Sequence, residues 1–184
     1  ELTGRGILGG AIEGKTPGNR VEFPAANRIG VTEGGSAVGL TLKKLRAATE
    51  AMELEDFGLE TDEEIHSLIT PRQKTDLLNL AFETGKSLNP FEVEQIREGK
   101  AAKLLGINWH FTNRLPVNKT GHRIVPLWTK ANVVANFWED VEGDMWNDTH
   151  AKNTPYIFVD AQLDATRVED GGVRVIECAE AAAE

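Results

Sequence analysis

The chain has 184 residues, enough for one domain with a substantial core, or one domain with a smaller appendage, and tight for two full domains. Its 40% hydrophobic and 27% charged content is ordinary for a globular protein, and no stretch approaches the roughly 18 apolar residues of a membrane span. A net charge of -9, with basic residues scattered among more numerous acids, argues against a dedicated nucleic-acid binder, because neutralising phosphates requires clustered Lys and Arg. Cys178 is the single cysteine, which excludes an intrachain disulfide framework and a Cys-rich zinc site.

The chain starts at Glu1 rather than methionine, and its first ten residues lack the basic start and apolar run of a signal peptide, which reads as a fragment or a processed product. Residues 1–40 are punctuated by Gly at 4, 6, 9, 10, 14, 18, 30, 34, 35 and 39 and by Pro17 and Pro24. That density predicts turns and extended segments, with short strands over 21–23 and 29–31. Thr41 then offers an N-cap, and Leu42, Leu45, Ala48 and Met52 gather on one helical face, predicting a helix over 42–57 ended by Gly58. Acids at 50, 53, 55 and 56 crowd its C-terminal half, where the macrodipole disfavours them, so packing must hold that end.

Residues 65–69 read as a short buried strand running into Thr70-Pro71-Arg72-Gln73, a capping-box pattern with proline at the first helical position. A second helix is predicted over 71–83. Asn89-Pro90-Phe91-Glu92 repeats the device, with Leu88 and Val93 as a hydrophobic staple, and predicts a third helix over 90–98 stopping at Gly99. From Gly106 the pattern turns to β. Ile107, Trp109 and Phe111 alternate with Asn108, His110 and Thr112, and Pro116 closes the segment. Further strands are predicted over 123–129, 131–137, 154–168 and 173–178, with Glu169-Asp170-Gly171-Gly172 as a hairpin turn between the last two. Pro126 and Pro155 imply edge positions or strand ends, the acidic segment 139–153 reads as a loop with one helical turn near Met145, and 181–183 as a frayed tail. Early helices and late antiparallel strands make the fold class α+β.

Candidate chemistry is sparse. Gly4-Arg5-Gly6-Ile7-Leu8-Gly9 matches the dinucleotide fingerprint G-x-G-x-x-G, with Glu22 near the acidic spacing, yet the flanks supply neither a preceding strand nor a following helix. We read it as tightly turned backbone, with a small nucleotide-binding enzyme using Gly4 to Gly9 as the alternative. His66, His110, His122 and His150 show no metal-ligand spacing and read as surface or hydrogen-bonded side chains. Glu139, Asp140, Glu142, Asp144 and Asp148 form an acidic cluster without the pattern of a calcium loop, hence a solvated loop. Cys178 is a packed strand thiol, and no G-x-S-x-G elbow occurs. Trp109, Trp128, Trp138 and Trp146 fill a core or its border, with partner-facing anchors as the alternative. No catalytic, cofactor-binding or metal residue is assigned from these patterns, and the chain is read as non-enzymatic.

The order of these pieces resembles the major capsid proteins of tailed bacteriophages, whose fold is named for phage Hong Kong 97. The resemblance is carried by the helix from Leu42 to Phe57, the run Ser67-Leu68-Ile69-Thr70-Pro71-Arg72-Gln73 with Leu77-Leu78 in the helix, and Leu104-Leu105-Gly106-Ile107 to Asn113-Arg114-Leu115-Pro116. Ala165-Thr166-Arg167, the Gly171-Gly172 turn and Val173-Arg174-Val175-Ile176 are similar to the family's C-terminal end. The resemblance implies an axial domain over 41–150 with a central sheet flanked by helices, long C-terminal strands of the peripheral domain over 151–184, and an unassigned Gly-rich segment over 1–40. The family's N-terminal arm, extended loop and spine helix are not recognisable and would lie before Glu1. The implied function is a structural subunit of a phage or prophage shell enclosing the genome, with an encapsulin-like compartment protein as a related alternative and a virion or tail binding module using exposed tryptophans as a weaker one. The implied partners are copies of itself in pentamers and hexamers, with scaffolding and portal proteins as further contacts. DNA is implied only as enclosed genome, and membranes are not implied. The implied location is the virion capsid, after synthesis in the host bacterial cytoplasm. Some family members crosslink subunits through a lysine and an asparagine; no position here is assigned to that chemistry.

Overall fold

The structure, a computed structural model, describes residues 6–9, 11–12, 20–58, 63–83, 103–104, 106–148 and 152–180. In chain order the elements are β1 (Ala11–Ile12), β2 (Arg20–Val21), β3 (Arg28–Ile29), β4 (Thr32–Glu33), β5 (Ser36–Ala37), α1 (Leu42–Glu53), β6 (Ile65–Ile69), α2 (Pro71–Glu83), β7 (Lys103–Leu104) and β8 (Ile107–Phe111). There follow β9 (Arg123–Thr129), β10 (Val133–Asp148), β11 (Thr154–Arg167) and β12 (Val173–Cys178). The predicted third helix, with its Asn89 cap, and the tail at 181–183 lie outside the described residues.

Six strands form the central sheet in the order β3-β12-β9-β6-β8-β7. β6 and β8 run parallel, because α2 intervenes between them and returns the chain to the same edge; β12 and β3 are also parallel, and the remaining pairs are antiparallel. Alternation sorts the side chains. Ile65, Ile69, Ile107, Trp109, Val125, Leu127, Ile176 and Cys178 pack with Leu45, Ala48 and Met52 of α1 and Leu77 of α2. The opposite face carries Ile124, Trp128, Val173 and Val175, covered by Ile7 and Phe23 from the N-terminal segment. β9 is therefore buried from Ile124 to Thr129, as expected of a strand covered on both faces.

The cap predicted at Thr41 forms, its side chain accepting a hydrogen bond from the Lys44 N–H at 3.3 Å. One half of the capping box forms at Thr70: the Gln73 side-chain oxygen accepts from the Thr70 N–H at 3.1 Å, while the Thr70 hydroxyl donates to that same oxygen. Gln73 also donates to Glu180 at 3.0 Å, and Arg123 grips the same carboxylate at 2.8 and 3.0 Å, tying the end of β12 to the start of α2. The Arg123 side chain holds the Glu180 carboxyl below its usual range. α1 ends at Glu53, four residues before the predicted end. The Phe57 N–H bonds back to the Met52 carbonyl at 3.0 Å, while Asp56 takes the left-handed conformation (φ 63°), so Glu55 and Asp56 lie in the closing turn beyond the helix and Glu50 and Glu53 remain in its last turn.

Three further expectations need correction. Pro126 is neither at an edge nor at the end of its strand, since β9 lies between β12 and β6. The β6 ladder stops at the Ser67–Leu127 pair, and the Pro126 carbonyl, turned toward β6, instead accepts from the Ser67 hydroxyl at 3.0 Å. A residue's N–H and C=O project to the same side of a strand, so the missing N–H of Pro126 falls where no ladder bond is made. Glu169 to Gly172 do not close a hairpin. β11 pairs with β10, whereas β12 joins β9 and β3, and the turn carries the chain from one sheet to the other. The acidic segment after residue 138 is not a loop: it continues β10 to Asp148, paired with β11 along almost its whole length. β10 and β11, which pair with each other, stand on either side of the boundary expected at residue 150, and β3 within residues 1–40 pairs with β12 in the main sheet.

The ribbon joins the body at Arg167, whose buried guanidinium donates to the carbonyls of Ile7 at 3.1 Å, Val21 at 2.9 Å and Gly9, and pairs with Asp170. It lies 5.5 Å from the Phe23 ring centre. Residues 6–8 form a helical turn laid on Ala165, so close that a Cβ on Gly6 would stand 2.6 Å from the Ala165 carbonyl oxygen. Two measurements check this packing. Trp109, 1% exposed at the centre of the helix-facing core, loses about 3–5 kcal/mol of unfolding free energy as Trp109→Ala in a denaturant titration. Gly6→Val lowers the thermal midpoint with no nucleotide present, because the added carbons have no room against the Ala165 backbone.

Candidate functional site

The β10–β11 ribbon is the most exposed apolar feature among the described residues. Of the large hydrophobic side chains that are exposed there, all but Leu54, Val117 and Val168 lie on it. Directly paired residues share a face and successive residues alternate. Phe137 pairs with Leu163 and Met145 with Ile157, and Ala161 and Val159 fall on the same side, making one apolar face. Ile157 is 70% exposed, Met145 69%, Phe137 67% and Val159 65%, so nothing described covers it beyond the base at Ala165. On the other face Asn136 pairs with Asp164, Glu139 with Gln162 and Glu142 with Asp160, and toward the tip the Trp146 and Tyr156 rings stand 4.9 Å apart. Register shifts between Phe137 and Glu139 and between Glu139 and Glu142 bulge β10, and both Trp138 and Val141 there are exposed.

The acidic cluster is thereby explained. Glu139, Glu142 and Asp144 belong to the polar face, Asp140 to the bulged stretch and Asp148 to the strand's end. Among the described residues no group of three or more His, Cys, Asp or Glu is placed to hold a metal ion. The bulges hid this strand in the sequence, because they break the alternation that marks it; the matching signal was the unbroken 154–168 run, a long strand that needs a partner.

The remaining candidates are dispersed. Of the glycine fingerprint, Gly6 lies in a helical turn and Gly9 in a bend whose carbonyl Arg167 occupies, and Ala11–Ile12 continues as a strand. Among the described residues no helix N-terminus follows to meet a pyrophosphate, and Gly4 lies outside them. Glu22 is exposed. His66 and His110 meet on the sheet face opposite the helices, with Nδ1 of His66 3.1 Å from Nε2 of His110, beside Trp128. His122 meets the Thr120 hydroxyl at 2.9 Å, and His150 lies outside the described residues. Burial pushes the Cys178 thiol up to about 12, which makes it inert in the folded chain. Trp109 is core and Trp128 its border, while Trp138 and Trp146 are exposed on the ribbon.

Comparison with known proteins agrees with this architecture. The family described as phage capsid protein matches residues 5–180. Similar solved structures include one from Mycobacterium phage Che8, with a TM-score of 0.55 and 13% identity over 73% of this chain and 47% of that one. The capsid of the cyanophage P-SCSP1u matches with a TM-score of 0.58 and 17% identity over 89% of this chain and 56% of that one. The asymmetric unit of the mature capsid of bacteriophage PhiM1 matches with a TM-score of 0.53 and 11% identity over 74% and 45%. No curated protein sequence matches significantly. The chain spans about half the length of these solved chains, and at such identities the likeness is one of fold, the Hong Kong 97-like arrangement of helices around a central sheet. With the family matched across residues 5–180, the chain belongs to the phage capsid proteins.

Proposed function

We propose that this chain is part of the structural subunit of a phage or prophage head, which assembles with copies of itself in pentamers and hexamers around the packaged genome. Its place is the virion capsid, after synthesis in the host bacterial cytoplasm, with scaffolding and portal proteins as further contacts. The family description favours a virion shell over an encapsulin-like compartment. In this reading the protein acts by repeated symmetric contacts and carries out no catalysis. The six-stranded sheet with α1 and α2 is the axial domain, and the β10–β11 ribbon is the peripheral domain's contribution.

The observation that carries this reading is the ribbon itself. Exposed apolar patches on monomeric proteins are normally small, whereas here one face of two long strands is apolar and uncovered beyond its base, and the opposite face, acidic through its middle, adds exposed Trp146, Tyr156 and Phe158 toward the tip. Burial in an assembled shell answers that exposure. Negative-stain microscopy of the complete gene product tests it. Closed shells or capsomer rings are the expected result; a protein that stays strictly monomeric across salt and crowding conditions overturns it. The double change Ile157→Asp with Val159→Asp is expected to cut the yield of assembled particles at least tenfold. The thermal midpoint of the isolated chain should move by no more than about 2 °C, because both side chains are exposed.

A further inference from the structure

On the face of the sheet opposite the helices, three rings from three adjacent strands lie against one another. His110 of β8 and His66 of β6 have ring centres 5.3 Å apart, and Trp128 of β9, paired directly with His66, stands 5.9 Å from His66 and 6.5 Å from His110. The facing nitrogens of the two imidazoles are only 3.1 Å apart, so they lie between the ring centres and the contact is an edge-to-edge hydrogen bond. Such a bond needs one nitrogen to donate and the other to accept. It therefore tolerates a neutral pair or a pair carrying one extra proton, and it cannot survive two imidazolium rings whose N–H groups point at each other.

We propose that His66 and His110 form an acid-sensitive latch: the shared proton holds the two rings together beside Trp128, and a second added proton drives them apart and uncovers this part of the sheet.

The surroundings oppose that last proton. Among the described residues, the charged groups acting on His66 are Glu64, whose carboxylate lies 3.8 Å from the far nitrogen Nε2, Lys130 at the end of β9, and His110 itself. Burial, followed by His110, holds His66 below the usual histidine range; Lys130 adds to this and Glu64 opposes it. Glu64 sits at the nitrogen turned away from His110, so it does not neutralise the edge where the two protons would collide. The unfolded chain takes up this proton more readily than the folded one. The latch thus costs stability as pH falls below about 6.5, and the loss is complete once pH is below the lowered folded value.

Ring-resolved NMR titration of the chain from pH 8 to pH 5 tests the latch. The expected result is that the Trp128 indole N–H resonance moves with the same midpoint as His66, that this movement disappears in His66→Gln, and that His66 titrates at higher pH in His110→Gln. A Trp128 resonance indifferent to pH, or a His66 titration unchanged by His110→Gln, overturns the proposal. The wild-type co-titration decides the matter even if either variant folds poorly.

Discussion

Three buried cations, Lys44, Arg167 and Arg174, carry the irregular parts of this fold, and each is paid for by main-chain carbonyls. The Lys44 ammonium donates to the carbonyls of Val31 and Val38 at 2.9 Å, Glu177 at 3.0 Å and Gly39 at 3.2 Å, binding the β4–β5 hairpin and the end of β12 to the first turn of α1. Burial holds its pKa below the usual lysine range. Arg174 donates to the Ala51 carbonyl at 2.9 Å, near the C-terminus of α1, and to the Gly171 carbonyl at 2.8 Å, and pairs with Glu55 at 2.8 Å. A cation at a helix C-terminus offsets the negative end of the dipole, which the crowded acids there aggravate. Arg167 does the same work for the N-terminal segment. A desolvated charge is tolerated only where its donors are satisfied, so these three side chains admit very few arrangements of the segments around them.

That constraint also explains the division of the molecule into body and ribbon. β12 has to leave β11 because Arg174 and the Lys44 acceptor at Glu177 anchor it beside α1, while Val173 and Val175 fill the opposite core. Asn27 donates to the Asp170 carbonyl at 2.6 Å, and the Asn132 amide lies where a Cβ on Gly172 would have to go, so the turn is packed on both sides. With β12 committed to the main sheet, β11 can pair only with β10, and the two project as a ribbon covered at its base alone. The exposed apolar face is thus a consequence of how the body is closed.

Much of the body was legible in the sequence. The Thr41 and Thr70-to-Gln73 caps, the strands at 65–69 and 107–111 and the burial of Trp109 follow from local chemistry and from periods of 3.6 and 2, and each formed where those patterns placed it. The ribbon was half legible: β11 reads as a long strand, whereas β10 is broken by two bulges and loaded with acids that a solvent-facing strand side can carry as easily as a loop. Pro126 was misplaced because proline's cost depends on which side of the strand needs a donor, and that is known only once the neighbouring strand's end is known.

The sequence by itself determined the elements whose signals are local: capped helices, alternating strands and the absence of catalytic spacing, together with the order of pieces that marks a capsid fold. Only the tertiary structure decided strand partners, the destination of β12, the meeting of His66 with His110 and the uncovered face of the ribbon. Those depend on contacts between residues far apart in the chain, such as Arg167 with Ile7 and Lys44 with Glu177, which no periodicity within a short window encodes.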